Sequence, residues 1–170
     1  MSIESEQIFT LDTFRSVVLD GFFVDCPAPL TRRGRDLCRF AWELDGRCHT
    51  QDWEGARHRL ALFSLPIHLR RNPVSKNYAA LWRPLPGEDR LHLEIVLPSR
   101  RNLREAVLAR LDFSAARSRE GGHPRFAVSP EDDPARFFPY ILAAREAKLR
   151  PLAARLKEPR TGPGSPAPRG

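Results

Sequence analysis

Residues 90–97 read RLHLEIVL, and their alternation decides the fold class. Leu91, Leu93, Ile95 and Leu97 fall on one side of an extended chain, and Arg90, His92 and Glu94 fall on the other. That pattern predicts a strand with one buried face and one polar face. Upstream, 78–83 (YAALWR) predicts a second strand, and 84–89 (PLPGED) supplies the turn between them. Residues 58–70 predict a third, bent or placed at an edge because Pro66 cannot donate to a ladder. RNPVSK, 71–76, is the turn that follows it. Three strands joined in this way make an antiparallel meander.

Helical patterns flank the meander. Leu11, Phe14, Val18 and Phe22 recur at helical spacing within 8–24, and the prolines of 25–29 break the chain after them. Thr31 is the expected N-cap of a helix over about 32–45, with Gly46 as its stop. Residues 47–57 are polar and read as a loop. Ser99 is the expected cap of a helix over about 100–118, and 124–128 is a candidate fourth strand. Ser129-Pro130-Glu131-Asp132 signals the start of a long last helix running to about Glu158, bent near Pro139 and Pro151. The fold class is therefore α+β: a small antiparallel sheet packed with N-terminal helices and a long C-terminal helix. Residues 1–158 form one domain, and 159–170, rich in Pro, Gly and Ser, form a disordered tail.

Glu4 and Glu6 precede the first base, Arg15, so the start lacks the basic region and apolar core of a secretory signal. No run approaches the length of a membrane span. Three cysteines, an odd number, fit reduced thiols, so the expected compartment is intracellular, cytoplasmic or nuclear. Cys26, Cys38, Cys48 and His49 lack the tight pairs of a structural zinc site. No metal or other cofactor is expected.

The formal net charge is +7, which points to an anionic partner. Of the 28 basic residues 25 are arginine, so coding bias competes with function as the cause. Position separates the two. Residues 1–30 carry −4, 31–98 carry +4 and 99–170 carry +7. Three Arg-Arg pairs stand out: Arg32-Arg33, Arg70-Arg71 and Arg100-Arg101. In an up-down-up meander the first and third strands run the same way, so Arg70-Arg71 and Arg100-Arg101 emerge at one edge, beside Lys76. The helix at 99 also opens on bases, where the helix dipole favours acids. A bound phosphate would relieve that conflict.

The expected function is non-enzymatic binding of nucleic-acid phosphates, DNA or RNA, through Arg70, Arg71, Lys76, Arg100 and Arg101, with Arg32 and Arg33 as a further pair. Two alternatives stand beside it. One is a protein-interaction or regulatory adaptor. The other is a small hydrolase or nuclease that uses His92 and Glu94, which share one strand face. Tyr78 and Trp82, both even-numbered on one strand, are the candidates for stacking on bases.

Overall fold

The alternation at 90–97 is realised as the fourth strand of a five-stranded sheet. The structure, a computed structural model, describes residues 9–53, 58–66, 76–83, 88–118 and 122–157. A short helical turn, Leu11–Thr13, runs into a π-helix, Phe14–Gly21, and the two together are α1. Then follow α2 (Ala28–Asp45), β1 (Cys48–Trp53), β2 (His58–Ser64), β3 (Asn77–Trp82) and β4 (Leu91–Ile95). They are succeeded by α3 (Arg101–Arg110), β5 (Arg125–Val128), a 3₁₀ turn (Pro134–Phe137) and α4 (Phe138–Lys157). The strand order is β1-β2-β3-β4-β5, every neighbouring pair antiparallel.

The sheet thus has five strands rather than three or four. The added strand is β1, where the polar stretch 47–57 suggested a loop. It lies at the sheet's edge and buries only its first residue, Cys48, so it carries almost no apolar signal. Phe63, Leu81, Leu93, Ile95 and Phe126 face inward and form the core with the helices. There α2 packs over β1 and β2, and α4 over β3 and β4. Phe40 of α2 stacks on Phe138 of α4, with ring centres 3.8 Å apart. The outer face carries a smaller cluster, Leu60, Leu62 and Ala80, with Trp82 against it.

Several helix boundaries differ from the expected ones, each for a local reason. In α1 the N–H of Phe22 reaches back five residues to Val17 O, 2.9 Å, so the turns are wide. That widening suits the buried spacing Phe14, Val18, Phe22. The second helix starts at Ala28, because Pro27 and Pro29 tolerate a first turn; Thr31 lies inside it and donates to Cys26 O. α3 ends at Arg110, not near 118. Asp112 Oδ1 accepts the N–H of Ser114 in a local turn, and Arg117 pairs with Arg125 beside the sheet. Ser99 is not its cap: Arg100 holds that position with no side-chain hydrogen bond. At the last helix Asp133, not Ser129, caps the 3₁₀ turn, its carboxylate accepting from Ala135 N–H. The expected tail at 159–170 lies outside the described residues.

Tyr78 and Trp82 do not share a face. The β2–β3 register shifts between Phe63 and Ser64, so Tyr78 turns inward and is fully buried. Trp82 stays on the outer face, its indole donating to Glu94 and its ring under the Arg125 guanidinium.

A basic sheet end and a candidate anion-binding cleft

The meander gives the sheet two electrostatically different ends. One end holds the start of β1, the end of β2, the start of β3 and the end of β4. Arg47 precedes β1, Lys76 precedes β3, and Arg100 and Arg101 follow β4. Beyond β4 the chain still tracks its neighbour, since Val96 N–H bonds Tyr78 O at 3.0 Å. The other end carries Asp52, Glu88, Asp89 and the 131–133 acids among its arginines.

Two acids described near the basic end, Asp45 and Glu105, are already tied. Asp45 is buried between Arg145 and Tyr78. Glu105 pairs with Arg101 at 2.8 Å. Arg100 and Lys76 have no ion-pair partner among the described residues, and Arg47 bonds only Gly46 O and lies 4.3 Å from the Phe9 ring centre. Lys76, Arg100 and Arg101 are therefore brought to one end of the sheet, as the meander argument requires. Arg70 and Arg71 lie outside the described residues. Arg32 and Arg33 do not join the others: they sit in the first turns of α2, whose other end leads to Arg47. Arg33 is used structurally, donating to Pro130 O at 3.0 Å. Arg32 lines a separate groove of about 450 Å³ with Arg35 and Arg39, which are held near Asp20 and Asp36.

On the outer face of the basic end is a cleft of about 300 Å³. Its polar wall is Arg47, His49, Ser64, Lys76 and Asn77; its apolar wall is Phe9, Leu65 and Pro66. None of its described lining residues is a carboxylate. Alternation along β1 puts His49 outward, opposite Leu62, and the His49 ring stands perpendicular to that of Phe9. Burial holds the imidazole below its ordinary pKa, so it is neutral at pH 7, and its Nδ1 is buried with no hydrogen-bond partner. Ser64 Oγ is 2.5 Å from Asn77 Oδ1 and donates to it.

From the inner face, Lys148 of α4 donates to the carbonyl of Asn77 and so fixes the first residue of β3. It is buried, and desolvation pushes its pKa down from 10.5 to about 8. His123 stands nearby, also lowered by burial, and accepts the N–H of Leu97 on Nδ1. The sign of the linkage follows. Between about pH 8 and 10.5 the unfolded chain holds the Lys148 proton and the folded chain does not, so stability rises with pH there. Burial raises the Cys48 thiol and the Tyr78 hydroxyl and opposes this gain above pH 9, but it does so equally in a variant. The stability difference, wild type minus Lys148→Met, is therefore expected to grow on the order of 1–3 kcal/mol from pH 7 to 10. Urea unfolding at several pH values measures it, and a flat difference would contradict the buried placement.

The other candidates are placed as follows. His92 Nε2 lies 3.2 Å from Glu88 in the loop before β4, and Glu94 Oε2 accepts from both Trp82 and Arg125 across the strands, so both residues of this polar face are already engaged. Cys38 and Cys48 are buried, and both thiols are free. Among the described residues no cluster of three His, Cys, Asp or Glu could hold a metal ion, and no helix is long and apolar enough to cross a membrane. The role of His49 and Arg47 in the cleft was not legible in the sequence. Only the β1–β2–β3 register joins them to Lys76, and β1 itself gives no apolar signal. Comparison with protein families, curated proteins and solved structures finds no match to this chain.

Proposed function

We propose that this chain binds nucleic-acid phosphates through the basic end of its sheet. The observation that carries the reading is topological. The meander gathers Arg47, Lys76, Arg100 and Arg101 at one end, where Asp45 and Glu105 are already paired. The start of α3 adds support: its first turn has no acid and its cap position is an arginine without a side-chain bond, an arrangement that phosphate relieves. Contacts of this kind position a backbone and read little sequence.

Anisotropy with labelled DNA and RNA, single- and double-stranded, tests it across a salt series. Binding is expected to weaken steeply with salt. In Arg100→Ala/Arg101→Ala the log–log slope on duplex is expected to flatten by about one to two. Arg101 contributes the smaller part, since Glu105 already neutralises it. An unchanged slope would sink the assignment. A protein-interaction adaptor is the second reading, favoured by Leu11, Val17 and Val24, exposed apolar residues among Asp12, Asp20 and Asp25. Absence of binding at low salt would turn the balance to it.

A further inference from the structure

We infer that the outer-face cleft at the basic end is a binding site for a terminal phosphate group, a phosphomonoester joined to a body of about sugar size. The site is a discrete recess rather than the open rim, and the inference stands whether or not the rim binds nucleic acid.

Charge sets the sign of the ligand. Arg47 and Lys76 approach from two different strand starts, and no carboxylate among the described lining residues compensates them. Two uncompensated cations held close repel each other, and an anion between them converts that cost into attraction. The donors favour phosphate over carboxylate. A guanidinium fork and an ammonium, from separate segments, match a tetrahedral group with three terminal oxygens better than a planar group with two. A monoester also carries about twice the charge of a diester at pH 7.

His49 supplies the second, independent observation. A buried nitrogen without a partner costs about 1–3 kcal/mol, and a native site with such an atom calls for a missing group. The Phe9 ring stands perpendicular to the His49 ring and lies under the Arg47 guanidinium. His49 lines the cleft with Arg47 and Lys76, so an anion seated between them is the group on hand to meet Nδ1. A neutral imidazole can carry its proton there and donate it. Below this wall, Lys148 holds the Asn77 backbone, so the β3 side is rigid.

Size sets the rest. A volume of about 300 Å³ exceeds a phosphate alone and reaches the lower range of small-molecule pockets. Leu65, Pro66 and Phe9 give the surplus an apolar lining suited to the flat of a sugar or ring. Two sources share this chemistry: a free sugar phosphate or nucleotide, and the 5′-phosphorylated end of a nucleic acid.

Calorimetric titration of the full chain tests the site with inorganic phosphate, ribose 5-phosphate, AMP, succinate, and one short oligonucleotide with and without a 5′-phosphate. Saturable binding of the monoesters is expected, with Kd of roughly 10 μM to 1 mM. Lys76→Gln and Arg47→Gln are each expected to weaken it about tenfold, and Lys76→Arg to retain it. Arg39→Ala, in the separate groove beside α2, is expected to leave it unchanged, which separates this site from general basicity. The imidazole ¹⁵N resonances of His49 are expected to shift on binding. Tighter binding of the 5′-phosphorylated oligonucleotide than of AMP would assign the nucleic-acid end, and equal or weaker binding the free ester. No saturable binding of any monoester would overturn the inference. So would undiminished monoester binding in Lys76→Gln/Arg47→Gln, or succinate binding as tightly as the monoesters.

Discussion

Asp45→Ala is expected to lower the stability of the domain by about 3–5 kcal/mol. Asp45 ends α2, where the helix dipole disfavours an acid, so its presence needs a tertiary reason. The reason is a three-way contact between α2, β3 and α4. Arg145 grips the carboxylate with two nitrogens, Nη2 to Oδ1 at 2.6 Å and Nε to Oδ2 at 2.9 Å. The Tyr78 hydroxyl donates to Oδ2 at 2.9 Å. The carboxylate is 1% exposed and the guanidinium 23%. Hydrogen bonding to Asp45 raises the pKa of Arg145, and burial, followed by the Asp45 charge, raises that of Tyr78.

Truncation would therefore strand a mostly buried cation and a fully buried hydroxyl together, which is the costly half of the asymmetry in buried ion pairs. A total stability of about 5–15 kcal/mol leaves little margin for that loss. Urea unfolding measures it. Asp45→Asn is expected to lose nearly as much, since an amide presents donors to a guanidinium. Asp45→Ala/Arg145→Met is expected to lose less than the two single changes together, because it removes the stranded charge. A loss below about 1 kcal/mol for Asp45→Ala would mean that water reaches Arg145 and that the contact is a surface pair.

How much of this was legible in the sequence depended on whether a signal was local. At 90–97 each residue declares its face, and the strand, its buried side and its direction all follow. Gly46 was legible as the stop of α2 because a left-handed residue there, φ +61°, is a local requirement. At β1 the same reasoning fails, since an edge strand with a polar outer side has no contrast to read. Tyr78 was misread because a bulge, set by pairing with β2, breaks the parity of β3. Lys148 lies among the mixed charges of α4, a pattern that gives no sign of burial, yet it is buried, because only the packing of α4 on β3 places it under Asn77. The candidate site divides the same way. The shared direction of β2 and β4 foretold that Lys76 and Arg100 meet one sheet end. The cleft, whose lining runs from Phe9 to Asn77, exists only through the three-strand register.

Gly34→Ala is expected to destabilise the domain by about 1–3 kcal/mol, although the same change inside a helix ordinarily gains about 0.5–1 kcal/mol. Gly34 sits in the arginine run of α2, where the sequence shows only a weak helix former. On the inner face it falls between Leu30 and Leu37-Cys38, all buried. A Cβ built there would lie 2.3 and 2.6 Å from two carbons of the Phe23 ring and 2.9 Å from Leu91 Cδ1. Phe23 has little room to yield, being buried and edge-on against Phe22 at 4.9 Å between ring centres. Leu91 is fully buried on β4. The missing methyl is therefore what lets α2 approach both the segment after α1 and the start of β4. Unfolding of Gly34→Ala measures the cost, and Phe23→Leu/Gly34→Ala measures its cause. Shortening the ring vacates the position that the new methyl needs, so the double variant is expected to lose less than the sum of the single losses. A stabilising Gly34→Ala would show that helix propensity outweighs the contact, and that α2 stands further from β4 than these distances require.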